Sequence, residues 1–418
     1  NTVVRGGYGM FYDQTFGDVY FQKANNPPFV AINTGNIASA LPQFESGQLV
    51  PGTGQVIQNA LTGLVGTAYP TLSPFQLNFQ NAFIQEWALG VQRQVRSSWL
   101  FDLGYVGTRG LHLVQETDPN QPVNLTVSPS PATLAACEAG ACQRPYPLLS
   151  GFSYTQSSGS SIYNALQFKV ERRFSRGLSL LGSYTYSKSI DTTSGPFSDS
   201  RNANFPQNSY DVAAERAVSD FNFPQRLSVA YLWAMPFGAT VVKLDNPHWN
   251  YLVEGWQVGG VITAQSGPPF TPVVSGDISG ADESQITGTN NATDRPNLTG
   301  TSFYPTRQTP QAWMNTSAFS IPPSFTFGNA GRNILRGPGL ASWDFSLLRN
   351  FRLRESTNLE FRAEMFNILN RPNFDIPQRD LASPSFGQIF NTLQPQAGLV
   401  SGGPGEPREL QLALRLQW

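Results

Sequence analysis

WDFSLLRNFRLRESTNLEFRAEMF, Trp343–Phe366, is the stretch that decides the fold. Trp343, Phe345 and Leu347 alternate with Asp344, Ser346 and Leu348; after a break at Arg354–Thr357, Leu359, Phe361, Ala363 and Met365 alternate with Glu360, Arg362, Glu364 and Phe366. Successive side chains of a strand point to opposite faces, so this is a hairpin with one apolar side and one charged side. Glu360, Arg362 and Glu364 are awkward residues for a packed sandwich core. They suit a face that meets water.

The same period of two recurs along the chain. Trp87, Leu89 and Val91 alternate with Glu86, Ala88, Gly90 and Gln92, and Trp99, Phe101, Leu103 and Tyr105 with Asp102 and Gly104. Leu166, Phe168 and Val170 stand against Gln167, Lys169 and Glu171, and Leu178–Tyr186, Leu227–Trp233 and Trp256–Ile262 continue the pattern. Leu410, Leu412, Leu414, Leu416 and Trp418 close it. With Thr2–Asp13 this predicts about ten strands. Arg96–Ser98, Ser175–Gly177 and Arg354–Thr357 read as tight turns, with Pro236–Leu252 a longer link on the same side. Between them run long connections: Gln14–Ala82, Gly110–Ser161, Ser189–Pro224, Pro268–Gly339 and Asn370–Glu406. Such connections do not belong in a compact soluble domain. Strict alternation of short turns and long loops is the pattern of an all-β, transmembrane, antiparallel up-and-down β-barrel, with short periplasmic turns and long extracellular loops.

Composition agrees. Charged residues are 13%, aromatics 12%, and Gly and Pro number 38 and 32. A net charge of −1 argues against nucleic acid as a partner. No run approaches the ~18 apolar residues of a membrane-spanning helix, and no signal peptide precedes Asn1, so the chain is expected to begin inside a larger protein. Tyr12, Phe83, Trp99, Phe174, Phe237, Trp256, Phe351 and Trp418, near strand ends, fit interfacial belts. On the polar side, Glu86, Asp102, Lys169, Glu171, Arg226, Glu360, Arg362 and Glu364 are candidates for lining the lumen. A salt-bridge ladder that stiffens the wall is their simplest role. Arg362 and Glu364 are expected to pair across the wall with residues such as Arg226.

The sequence carries no catalytic signature. His112 and His248 are far apart in sequence, and the chain holds no nucleophile elbow, phosphate loop or zinc motif, so neither an enzyme nor a cofactor is expected. Asp277, Asp282 and Glu283 share a loop and read as solvated carboxylates before they read as a cation site. Cys137 and Cys142 are close enough in sequence for a local disulfide in an oxidising compartment, two free thiols being the alternative.

Several stretches resemble a known family. Arg5–Asp18 (RGGYGMFYDQTFGD), Asn26–Phe29 (NPPF), Gly255–Phe270 (GWQVGGVITAQSGPPF), Phe327–Phe351 (FGNAGRNILRGPGLASWDFSLLRNF) and Phe361–Phe374 (FRAEMFNILNRPNF) are similar to the barrel of TonB-dependent receptors of the Oar-like type. The resemblance implies that residues 1–418 are the C-terminal part of one outer-membrane barrel of roughly 22 strands, its plug domain and TonB-contacting segment lying outside this chain. It implies residence in the outer membrane of a Gram-negative bacterium, in contact with its lipid. It also implies an unknown extracellular substrate bound by the loops, and transport powered by the TonB complex through the missing N-terminal region. Leu414, Leu416 and Trp418 resemble the signal read by the barrel-assembly machinery, which captures an alternating edge strand. The alternative function is a surface structural or adhesion protein that uses the barrel as an anchor.

Overall fold

The computed structural model describes residues 2–14, 74–123, 130–138, 142–146, 151–195, 205–236, 254–281, 293–354, 357–393, 405 and 407–418. Ten long strands form one antiparallel meander: β1 (Thr2–Tyr12), β2 (Phe83–Val95), β3 (Trp99–Thr117), β4 (Tyr154–Ser175), β5 (Leu178–Asp191), β6 (Gln225–Ala234), β7 (Trp256–Gln265), β8 (Leu340–Arg354), β9 (Thr357–Phe366) and β10 (Glu409–Gln417). Each pairs with its sequence neighbour, and a two-residue strand, Ala217–Val218, adds to the end of β5. Among the described residues, β1 and β10 are the open edges of this sheet.

The tight turns fall where the alternation breaks. β4 and β5 are joined by Arg176 (φ 50°) and Gly177 (φ 77°), the left-handed pair that a two-residue hairpin with the right twist requires. All the long connections leave from the opposite end of the sheet. Register is continuous, so directly opposed residues share a face. Leu103, for example, lies opposite Val91 and Phe168, and Phe168 opposite Tyr184. The apolar sets of all ten strands thereby merge into one face.

Two boundaries differ from the sequence reading. β3 runs on to Thr117 and β4 starts at Tyr154, so the connection between them is shorter than Gly110–Ser161. The extension is polar (Gln115, Glu116 and Thr117 against Thr155 and Gln156) and crosses a register shift at Gly110/Leu113. Bulges of this kind break the alternation without ending the pairing. One short helix, Pro131–Glu138, was also not anticipated; Ser130 caps it by accepting the Thr133 N–H at 3.1 Å, and proline occupies its first position.

The hydrophobic core is not in the sheet. Phe270, Met314, Ala318, Phe319, Leu335 and Phe386 pack together at the end with the long connections, drawn from the β7–β8 and β9–β10 segments. The apolar face of the sheet stays open instead: Leu410, Leu412, Leu414 and Leu416 are all exposed, as are Leu103, Leu166 and Phe168. A continuous exposed apolar band above a buried, well-packed loop body is what a wall facing lipid presents.

Candidate functional site: the polar face and the loop body

Register brings the sequence-predicted polar residues onto one face. Asp102 lies opposite Lys169, Arg226 lies between Thr185 and Gln265, and Glu360 lies opposite Arg415. Glu86, Glu171, Arg362 and Glu364 follow in the same parity. The ion pairs on this face run along strands. Lys169 Nζ is 3.3 Å from Glu171, and Arg362 reaches Glu360 at 3.2 Å and Glu364 at 3.7 Å. Among the described residues the expected pairing of Arg362 and Glu364 toward Arg226 is not made: β7 and β8 lie between their strands, and residues two apart on one strand are within reach of each other. These pairs are partly solvated, so each is worth no more than about 1 kcal/mol. They set the chemistry of the face, mixed in charge and wet, rather than its stability.

The loop body is held by a buried charge cluster that sequence reading missed. The side chain of Arg332 is 4% exposed and uses its whole guanidinium. Nε donates to the Glu215 carbonyl (3.1 Å), Nη1 to Ser194 Oγ (3.0 Å) and Asp220 Oδ1 (3.5 Å), and Nη2 to the Asp191 carbonyl (2.9 Å) and carboxylate. Arg295 pairs with Glu215 beside it. Asn333 donates to Asp220 Oδ1 (2.6 Å) and the Val218 carbonyl (2.8 Å). Arg336 donates to the carbonyls of Gly267 (2.8 Å) and Asn222 (3.2 Å). The run Arg332–Arg336 therefore ties the end of β5, the β5–β6 connection and the β7–β8 connection into one knot. Nothing local distinguishes these arginines in the sequence from solvated ones; their partners lie 69 to 141 residues away.

A pocket of about 370 Å³ opens beside the knot, between Gln207, Asp211, Glu215, Arg295 and the Phe327–Gly331 turn. Gln207 stitches its walls, accepting the Arg295 N–H (2.8 Å) and donating to the Gly328 carbonyl (2.9 Å). Glu215 and Arg295 neutralise each other, which leaves the Asp211 carboxylate in a lining otherwise made mainly of amide and carbonyl groups. The pocket's volume lies at the lower end of the range of small-molecule pockets.

Asp294 is almost fully buried; Oδ2 accepts the Ser279 N–H at 2.9 Å. Burial, with a smaller push from Asp277, raises its pKa to about 6. Asp282 and Glu283 lie outside the described residues, and among the described residues no group of three potential metal ligands occurs. His112 sits at the β3 bulge with φ 56°, beside Tyr12 and Phe83 in a surface hollow. Phe237 and His248, together with most of the first long connection, are outside the described residues.

Cys137 and Cys142 are joined as a disulfide, and Cys137 packs with Ala281 and Phe327. Leu414 and Leu416 are exposed along the edge strand β10, with Trp418 just beyond its end. At the short-turn end, aromatic residues carry cations: Arg172 lies 5.2 Å above Trp99, and Arg349 lies 5.4 Å above Trp256 and 4.1 Å above Phe351.

An antiparallel wall with one exposed apolar face, one wet face and aromatics at its ends defines an outer-membrane barrel protein. The chain belongs to the family described as outer membrane beta barrel domain, which matches residues 1–411, and the protein therefore resides in the outer membrane. No curated protein matches it. Among solved structures it is similar to the outer membrane transporter YddB of Escherichia coli (10% identity, TM-score 0.45, 100% of this chain and 38% of that one). It is also similar to the ferric-catecholate import receptor Fiu of E. coli K12 (11%, TM-score 0.39, 100% and 33%) and the pyoverdine receptor FpvA of Pseudomonas aeruginosa PAO1 (10%, TM-score 0.35, 81% and 30%). The chain thus spans less than two fifths of the length of each.

Proposed function

We propose that this chain is part of the wall of a TonB-dependent, Oar-like outer-membrane receptor. Its long connections form an extracellular substrate-binding body, and its polar face lines a lumen through which substrate crosses. The observation that carries this reading is the division of labour in one sheet: an apolar face, a charged face, and a packed polar body at the long-connection end only. Closure of the wall then takes further strands beyond the ten, because open edges in lipid leave N–H and C=O groups unpaired. In this reading, energy from TonB enters through a plug and a TonB-contacting segment.

Deletion of the gene in a strain with an intact TonB complex tests the proposal. Loss of uptake or export of one class of compound, reproduced by deleting TonB, is the expected result; unchanged transport across a panel of iron chelates, saccharides and peptides refutes it. A second reading, a surface structural or adhesion protein anchored by the barrel, is favoured by the loop body having its own core and disulfide. It predicts loss of surface attachment on deletion with transport intact.

A further inference from the structure

Charge is segregated by face more strictly than hydrophobicity requires. Along the continuous ladder from β1 to β10, every carboxylate falls on the polar face: Glu86, Asp102, Glu171, Asp344, Glu360 and Glu364 among them. The apolar face carries Arg93, Arg109, Arg172, Lys188 and Arg349 and no carboxylate. Arg172 and Arg349, near the short turns, lie on aromatic rings. Arg109 and Lys188 lie toward the long-connection end, are exposed, and have no carboxylate partner among the described residues.

Their surroundings suit an amphiphile. Lys188 is in register with Asn164, and Asn164 with Gly107 and, beyond it, Trp87 and Tyr8. A Cβ on Gly107 would collide with the Trp87 indole, so the ring rests on that glycine and only glycine leaves it room. Tyr105 donates to Asn164 Oδ1 at 2.6 Å, which leaves the amide NH₂ end of Asn164 as a donor beside Lys188. Arg109 stands one row further toward the loops, between Gln85 and Ile162. Two strand spacings and one pleat repeat separate the Arg109 and Lys188 backbones, about 12 Å, a gap that two long cationic side chains can close on one anion. Below this row come Leu89, Leu166 and Leu103, the start of the apolar band.

We infer that Arg109 and Lys188, with Trp87, Tyr105 and Asn164, form a docking site on the outside of the wall for a phosphate-bearing lipid headgroup of the leaflet on the long-connection side. The inference rests on the apolar face being the lipid face. Cations at the edge of an apolar band are placed to meet headgroup phosphates, each contributing ~1 kcal/mol near a charged surface. That is roughly fivefold in retention per cation and about 30-fold for the pair.

The test uses the full protein, purified from outer membranes and reconstituted in phosphatidylcholine nanodiscs doped with diphosphoryl lipid A or with the same glycolipid stripped of phosphate. Glycolipid retained per protein is counted by native mass spectrometry after a neutral-detergent wash. Preferential retention of the phosphorylated form, weakened by salt, is expected. Arg109→Gln/Lys188→Gln lowers it to the level of the stripped lipid, and Arg5→Gln, on the polar face, leaves it unchanged. Equal retention of both glycolipids by the wild-type protein overturns the inference whatever the variants do, as does selectivity that survives the double substitution. If the double variant does not assemble, Lys188→Gln alone decides. A protein that enters no bilayer at all sinks the lipid-facing wall itself, an outcome distinct from entry without phosphate selectivity.

Discussion

Replacing Arg332 by methionine keeps the length of the side chain and removes its charge. In the folded protein the guanidinium makes bonds to Glu215, Ser194, Asp220 and both oxygen types of Asp191, whose side chain is 1% exposed. The substitution leaves the buried Asp191 carboxylate, and Asp220 beside the same guanidinium, without the charge that neutralises them. Breaking a buried pair on one side costs about 3–5 kcal/mol, chiefly from the charge left behind. The strand ladder is untouched, so the loss falls on the loop body and not on the wall. The variant should therefore still reach the outer membrane and keep its heat-modifiable mobility on gels. In intact cells, by contrast, its β5–β6 and β7–β8 connections should be cut by external protease at least ten times faster than in the parent. Adding Asp191→Asn and Asp220→Asn removes the stranded charges and should recover much of the protection. Wild-type protease resistance in the single variant would refute the knot as the element that holds the body together.

Three further outcomes follow from the same geometry. Asp294 has its folded-state pKa raised to about 6, so its proton is held more tightly folded than unfolded; its contribution favours folding below about pH 4 and is lost as pH rises toward 6, an effect of roughly 3 kcal/mol. Asp294→Asn should flatten the thermal-stability profile across that window and raise stability at pH 7, and a profile that stays unchanged would contradict the burial argument. Arg362→Gln, by contrast, removes only partly exposed pairs with Glu360 and Glu364; it should shift stability by less than about 1 kcal/mol, and a larger loss in chemical denaturation would mean that this face is drier than its exposure indicates. Removing Trp418, or replacing Leu414 and Leu416 with serine, should lower the amount of folded protein in the outer membrane with no change in synthesis, and undiminished assembly would show that β10 carries no signal.

The wall was legible in the sequence because its physics is local. Trp343–Phe366 and its relatives alternate because each strand of an outer-membrane barrel has one apolar side and one polar side, and Arg96–Ser98 and Ser175–Gly177 mark turns through polar and glycine chemistry alone. Toward the long-connection end of the sheet that constraint ends. The upper parts of β3 and β4 are polar on both faces, and the alternation that would announce them is gone. The loop body was illegible for a different reason. Its core pairs Phe270 with Leu335 and Phe319 with Phe386, and its charge knot joins Asp191 to Arg332, contacts across long sequence separations that no local period records. The stretch Phe327–Phe351 stood out by resemblance, and the structure supplies a physical reason for its chemistry: Arg332, Asn333 and Arg336 bind the connections together just before β8 begins.

The central claim, a membrane wall with one lipid face and one wet face, is tested most directly by nitroxide labels placed singly at Phe101 to Val106 of β3 in reconstituted protein. Accessibility to dissolved oxygen should peak at Phe101, Leu103 and Tyr105, and accessibility to a water-soluble nickel chelate at Asp102, Gly104 and Val106, with a period of two. Uniform access of the nickel chelate to all six positions would contradict a lipid-facing side and, with it, the account of this protein as the wall of an outer-membrane barrel.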